Sequence, residues 1–116
     1  MTAKIYHNPR CGKSRDTLKL LVERGISVEI IEYLKTPPSS AELDDILQKL
    51  ALEPLDLMRK KEAIYKELEL GNQELDRTAL ISAMVNHPIL IERPIVLYAD
   101  KAALGRPPEA VLTILI

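Results

Sequence analysis

Apolar residues fall along this chain in two rhythms, and the change from one to the other marks out the elements. Ala3 to Tyr6 is a short apolar run of strand type, broken by Asn8-Pro9. A helical rhythm then begins near Ser14, with Leu18, Leu21 and Val22 at helical spacing and Leu20 beside them. Gly25 stands where a C-terminal cap belongs. Ser27 to Tyr33, rich in β-branched residues, reads as a second strand. A right-handed strand-helix-strand crossover makes the two strands parallel.

Thr36-Pro37-Pro38-Ser39-Ser40 stops that unit. Ser39 with Glu42 matches a capping box, and Leu43, Ile46, Leu47 and Leu50 carry an amphipathic helix up to Glu53-Pro54. Short helical segments follow around Leu55 and Met58, then around Ile64, Tyr65 and Leu68. Another helix is marked by Leu80, Ile81, Met84 and Val85 and stops at Asn86-His87-Pro88. Strand composition returns from Ile89 to Tyr98. Asp100-Lys101 reads as a tight turn and Ala102 to Arg106 as a returning strand, which together predict a hairpin. Pro107-Pro108 open a final helix with Val111, Leu112 and Leu115 on its inner face. The expected order is strand-helix-strand, a helical block, then strand-strand-helix. Residues 1–116 are expected to form a single α/β domain, a mixed four-stranded sheet flanked by helices, with a helical insertion over about 39–87.

Composition narrows the function. The net charge is −1 and no Arg/Lys-rich run occurs, so nothing marks a nucleic-acid partner. Charged residues recur from Lys4 onward and no apolar stretch reaches about 20 residues, which predicts a cytoplasmic protein with neither membrane span nor signal peptide. No long heptad is present, and a monomer is expected. One cysteine and two histidines, with no close pairing of ligands, argue against a metal site. The same single cysteine excludes an internal disulfide, so any redox cycle through it must borrow its second thiol from another molecule.

That cysteine, Cys11, lies in the turn between the first strand and the first helix. The free N–H groups of a helix start carry roughly half a positive charge, and Arg10, Lys13 and Arg15 add cations close by in sequence. All favour thiolate over thiol, so Cys11 is a candidate nucleophile. The location, at the carboxyl end of a strand in an open α/β sheet, is where sites of such folds gather.

The segments His7-Asn8-Pro9-Arg10-Cys11-Gly12-Lys13-Ser14-Arg15, Leu57-Met58-Arg59-Lys60, His87 through Val96 and Gly105-Arg106-Pro107-Pro108-Glu109 resemble the glutaredoxin-coupled arsenate reductase family, as does Tyr33 through Pro38. The match runs through the chain in order. The resemblance implies a thioredoxin-like fold with a helical insertion. It implies that the Cys11 thiolate attacks arsenate while Arg59, Arg93 and Arg106 hold the oxyanion, with glutathione and glutaredoxin as reductants. His7, Asn8, Ser14, Arg15 and Pro94 become supporting residues. His7 would stabilise the thiolate, Asn8 organise the turn, and Ser14 either cap the helix or donate to the sulfur. Pro94 would be the cis proline of thioredoxin-like folds. Guanidinium forks suit an oxyanion because they offer paired donors.

Taken singly, Arg59 beside Lys60 and Lys61 would be a solvated helix face and Arg106 an exposed turn residue; only Arg93, in an apolar run, asks for a partner. Arg10 and Lys13 make this turn more cationic than the family pattern, where small or polar residues stand. Redox-regulator members carry Cys-x-x-Cys, but here the second position is Ser14. The alternatives to arsenate reduction are a non-enzymatic, partner-binding regulator on the same fold and a glutathione-linked thiol oxidoreductase with another substrate.

Overall fold

The computed structural model describes residues 2–115, which divide into two compact units, 2–36 with 93–115 and Pro37–Glu92. The first unit holds the sheet. Strand β1 (Thr2–Tyr6) leads into helix α1 (Gly12–Glu23), and β2 (Ser27–Ile31) returns parallel to β1, in register Ala3 with Val28 and Ile5 with Ile30. Strands β3 (Ile95–Tyr98) and β4 (Lys101–Leu104) are antiparallel, and the sheet order is β2-β1-β3-β4. That mixed four-stranded order, with β1 and β3 in the centre, is the expected thioredoxin-like arrangement.

The core of this unit follows from strand alternation. Ala3 and Ile5 of β1 and Val96 of β3 meet Leu21 of α1, with Val111 and Ile114 closing the cluster. Each branched side chain so buried removes about 1.5–3 kcal/mol of apolar exposure. Gly25 (φ 73°) ends α1 in a Schellman motif, with Gly25 N–H donating to Val22 O and Ile26 N–H to Leu21 O.

Several expectations are corrected here. Val22 is 61% exposed, because the inward stripe of α1 runs through Ser14, Thr17 and Leu21 instead. Ile30 is half exposed: β2 is an edge strand, so its β-branched residues reflect strand preference more than burial. Ile89 and Leu90 belong to a 3₁₀ turn, Pro88–Leu90, and not to the strand. The hairpin turns one residue early, at Ala99-Asp100, with Ala99 in the left-handed region (φ 55°). The last element, Pro108–Ile114, is a 3₁₀ helix, and its three-residue repeat buries Val111 and Ile114 while Leu112 and Leu115 stay partly exposed.

The second unit is helical. The capping box forms as expected, with Ser39 N–H donating to Glu42 Oε1 (2.9 Å) and Glu42 N–H to Ser39 Oγ (3.1 Å). Helix α2 (Ser40–Leu50) buries Leu43, Ile46 and Leu47. After the 3₁₀ turn Pro54–Leu57 and the short, unburied α3 (Ala63–Glu67), Asp76 caps α4 (Arg77–Asn86), which buries Leu80, Ile81 and Met84. Arg77 ties α4 to α2 through Asp44 Oδ1 at 2.8 Å. Among the described residues no helix is long and apolar enough to cross a membrane.

Candidate active site

The turn after β1 is built from its own polar groups. Cys11 N–H donates to Asn8 O at 3.0 Å, and Arg10 N–H to Asn8 Oδ1 at 3.0 Å, so Asn8 organises the turn as its residue type predicts. Arg15 Nη1 donates to Pro9 O at 3.0 Å and straps the turn to the first turn of α1. Pro9, Arg10, Gly12, Lys13 and Arg15 are exposed, Asn8 and Cys11 are half-buried, and His7 and Ser14 are buried.

Cys11 occupies the N-cap position of α1, with extended backbone (φ −94°, ψ 123°). Its thiol is held below its ordinary pKa. Desolvation pushes upward and is the largest single influence, but the N–H of Ser14, the charge of Arg93, the N–H of Lys13 and a hydrogen bond from Arg93 together outweigh it. The sulfur makes no cap bond of regular geometry, so the amides act on it as dipoles. The sequence assigns this role to the N–H groups of the helix start and to the local cations Arg10, Lys13 and Arg15; the first part holds and the second does not. In the folded chain it falls to two helix amides and to Arg93, a residue more than eighty positions away in sequence.

Ser14 is neither the cap nor a neighbour chosen for the sulfur alone. Its Oγ lies 2.6 Å from His7 Nδ1 and accepts from Asn8 N–H at 3.1 Å. A neutral ring protonated on Nε2 accepts the hydroxyl proton and completes the set. Burial favours that neutral ring: His7 has its pKa lowered, first by desolvation and further by Arg15, against an upward pull from Glu32.

Arg93 and Arg106 are brought together in the same unit, Arg106 Nη1 donating to Arg93 O at 3.2 Å. Between them the peptide bond Arg93–Pro94 is cis, as is Arg106–Pro107. Gly105, one residue before Arg106, donates its N–H to Pro94 O at 2.9 Å and packs tightly on Thr17 and Pro94. Arg59 lies in the helical unit, and it is no solvated face. Its Nη1 is 2.9 Å from Glu62, its Nε is 4.0 Å from Glu92, and its backbone N–H donates to Leu90 O at 2.7 Å. Glu62, three residues on, was the only part of that setting visible in sequence. Thr17, fully buried with Oγ1 donating to Lys13 O at 2.8 Å, and Gly105 carry no sequence signal of their own. Among the described residues no group of three His, Cys, Asp or Glu is placed to hold a metal.

Comparison with known proteins places this geometry. The profile of the ArsC family matches residues 6–114, a span that includes Cys11 and all three arginines. An arsenate reductase of Neisseria meningitidis (serogroup A / serotype 4A) is 54% identical over 113 residues, 97% of this chain and 97% of its own. A protein of Escherichia coli strain K12 named "Uncharacterized protein YfgD" is 54% identical over 112 residues, 96% of this chain and 94% of its own. The structure of an arsenate reductase from Vibrio cholerae matches with a TM-score of 0.96 at 53% identity, over 99% of this chain and 98% of that one.

Proposed function

The chain belongs to the ArsC family, and on that footing we propose that it is a thiol-dependent oxidoreductase that reduces arsenate to arsenite through Cys11. The observation that carries the reading is a thiol held below its ordinary pKa at a helix start, with Arg93 on the sulfur and Arg106 bonded to Arg93. A lowered pKa raises the thiolate fraction and makes this sulfur a readier nucleophile than an ordinary thiol. Arg93, Arg106 and Arg59 bind the oxyanion. The two carboxylates beside Arg59 orient its guanidinium fork.

In the first step the Cys11 sulfur bonds to arsenic, and one arsenate oxygen departs as water after protonation. The arginines stabilise the charge that gathers on the remaining and departing oxygens. The thiolate of glutathione then attacks the Cys11 sulfur. An S–S bond forms as the S–As bond breaks, and its electron pair stays on arsenic, taking As(V) to As(III). Arsenite leaves, and Cys11 remains as a mixed disulfide with glutathione. The thiol of glutaredoxin attacks the glutathione sulfur and returns Cys11 as thiolate. The single cysteine supports this external route, and its need for a reducing thiol pool supports a cytosolic site of action.

The test is arsenite production from arsenate by purified protein with glutathione and glutaredoxin. Turnover that vanishes in Cys11→Ser and falls at least tenfold in Arg93→Ala and Arg106→Ala, roughly the loss of one charge-stabilising donor, is expected. No arsenite, or full activity without Cys11, would overturn the proposal.

A further inference from the structure

Arg10 and Lys13 are unused by the site described above. Both are exposed, one on either side of Cys11 in sequence, and neither forms an ion pair among the described residues. Arg10 is engaged only through its backbone N–H, on Asn8, and Lys13 through its carbonyl, on Thr17. Their neighbour Arg15 differs: its guanidinium is spent on Pro9 O, closing the turn. Nor are the Arg10 and Lys13 side chains among the groups that lower the pKa of the thiol, which are helix amides and Arg93. Two long cations therefore flank the thiol with their charge uncommitted.

We propose that Arg10 and Lys13 select the second thiol of the reaction, favouring a small thiol that bears carboxylates. The inference deepens the proposed function and rests on it for the need of an external thiol. Oxyanion binding by Arg59, Arg93 and Arg106 deals with the first substrate, so it leaves the approach of the second thiol unguided. That thiol must reach the Cys11 sulfur along the exposed rim, where Pro9, Arg10, Gly12 and Lys13 lie. A glutathione molecule carries two carboxylates and one ammonium, a net negative charge that cations on the rim attract. Neutral thiols gain nothing from them, and cationic thiols are repelled. Exposed pairs are individually weak and salt-screened, so the effect is one of preference and not of catalysis.

The test avoids arsenate. Cys11 thiolate attacks one sulfur of a small disulfide; the new S–S bond forms as the old one breaks, and the other half leaves as thiolate, with no net change of oxidation state. Rates of this exchange are measured by intact mass for the native protein and for Arg10→Gln/Lys13→Gln. The probes are glutathione disulfide (anionic), 2-hydroxyethyl disulfide (neutral) and cystamine (cationic). Dividing by the neutral rate removes any change in Cys11 ionisation, because that change slows all three alike.

The native protein is expected to favour glutathione disulfide over the neutral probe by roughly three- to tenfold more than the double variant does, from two exposed charge pairs. The cystamine ratio moves the opposite way, and both differences fade between about 0.02 M and about 0.5 M salt. Ratios unchanged within twofold overturn the proposal, as does parallel slowing with all three probes. Unchanged ratios together with slower release of the mixed disulfide by glutaredoxin also overturn it, in favour of a protein-docking role for the two cations. If the charge preference holds while no arsenite forms from arsenate, the thiol selection stands and the arsenate reading alone fails.

Discussion

A methyl group at Gly105 would have nowhere to go. Its φ lies outside the left-handed region, so alanine meets no backbone penalty and the effect of Gly105→Ala is steric alone. The added Cβ would overlap Thr17 Oγ1, stand 2.7 Å from Pro94 Cγ and 3.1 Å from Thr17 Cγ2. Carbon contacts are comfortable at about 3.5–4.0 Å, so neighbours must retreat by roughly 1 Å. Neither is a flexible chain end. Thr17 is β-branched, wholly buried and tied to Lys13 O at 2.8 Å; Pro94 is a ring whose carbonyl accepts from Gly105 N–H at 2.9 Å. Overpacking of this kind costs about 1–3 kcal/mol. The gain from stiffening the unfolded chain, about 0.4–1 kcal/mol, offsets only part of it. Urea unfolding should show a net loss of about 1–2 kcal/mol, and the thermal midpoint should fall by roughly 4–10 °C for a chain of this length. The pair Gly105→Ala/Thr17→Ala removes one of the two overlaps, so the second substitution should cost less in the Gly105→Ala background than alone. Stability of Gly105→Ala within about 0.5 kcal/mol of the native protein would refute the packing argument.

Other consequences follow from the site. Alkylation of Cys11 by iodoacetamide should reach half its maximal rate below the ordinary thiol pKa, and Arg93→Ala should move that midpoint upward, since both its charge and its hydrogen bond favour the thiolate. His7 has a lowered pKa in the folded chain, so the unfolded chain binds its proton first as pH falls. Its contribution is therefore intact above about pH 6.5 and is lost as the pH drops through the lower folded value; His7→Gln should flatten that part of the urea-midpoint profile. Glu62→Gln loosens the 2.9 Å tether on Arg59 and should raise the KM for arsenate by about two- to fivefold, with kcat within about twofold. Ser39→Ala removes a formed capping box and should cost about 1 kcal/mol of stability, read by the same urea titration.

What could be read in the sequence was what is decided locally. The capping box at Ser39 and Glu42, the Gly25 terminus and the Asn8 turn each rest on residues within six positions of one another, and all three are present. The errors arise where apolar spacing fits more than one structure. Helical spacing includes Val22 as readily as Leu21, and only the packing of α1 on Ala3, Ile5 and Val111 determines which is buried. Ile89-Leu90 has strand composition, but Pro88 starts a 3₁₀ turn there. At the C-terminus, apolar spacing could not separate a 3₁₀ repeat from an α-helical one across seven residues.

The thiol itself shows why local charge counting misleads. Arg10, Lys13 and Arg15 are near Cys11 in sequence, yet side chains that reach into solvent are screened, and Arg15 has turned back to Pro9. Arg93 is partly buried, and a charge in that setting acts through less water. The tight packing of Gly105 on Thr17 and Pro94 joins α1 to the segments that carry Arg93 and Arg106. The ionisation of Cys11 is thus coupled to the packing of this unit. A substitution such as Gly105→Ala, which touches no reacting atom, should raise the alkylation midpoint of Cys11 as well as lower stability. Local cations as the source of the thiolate would predict no such rise.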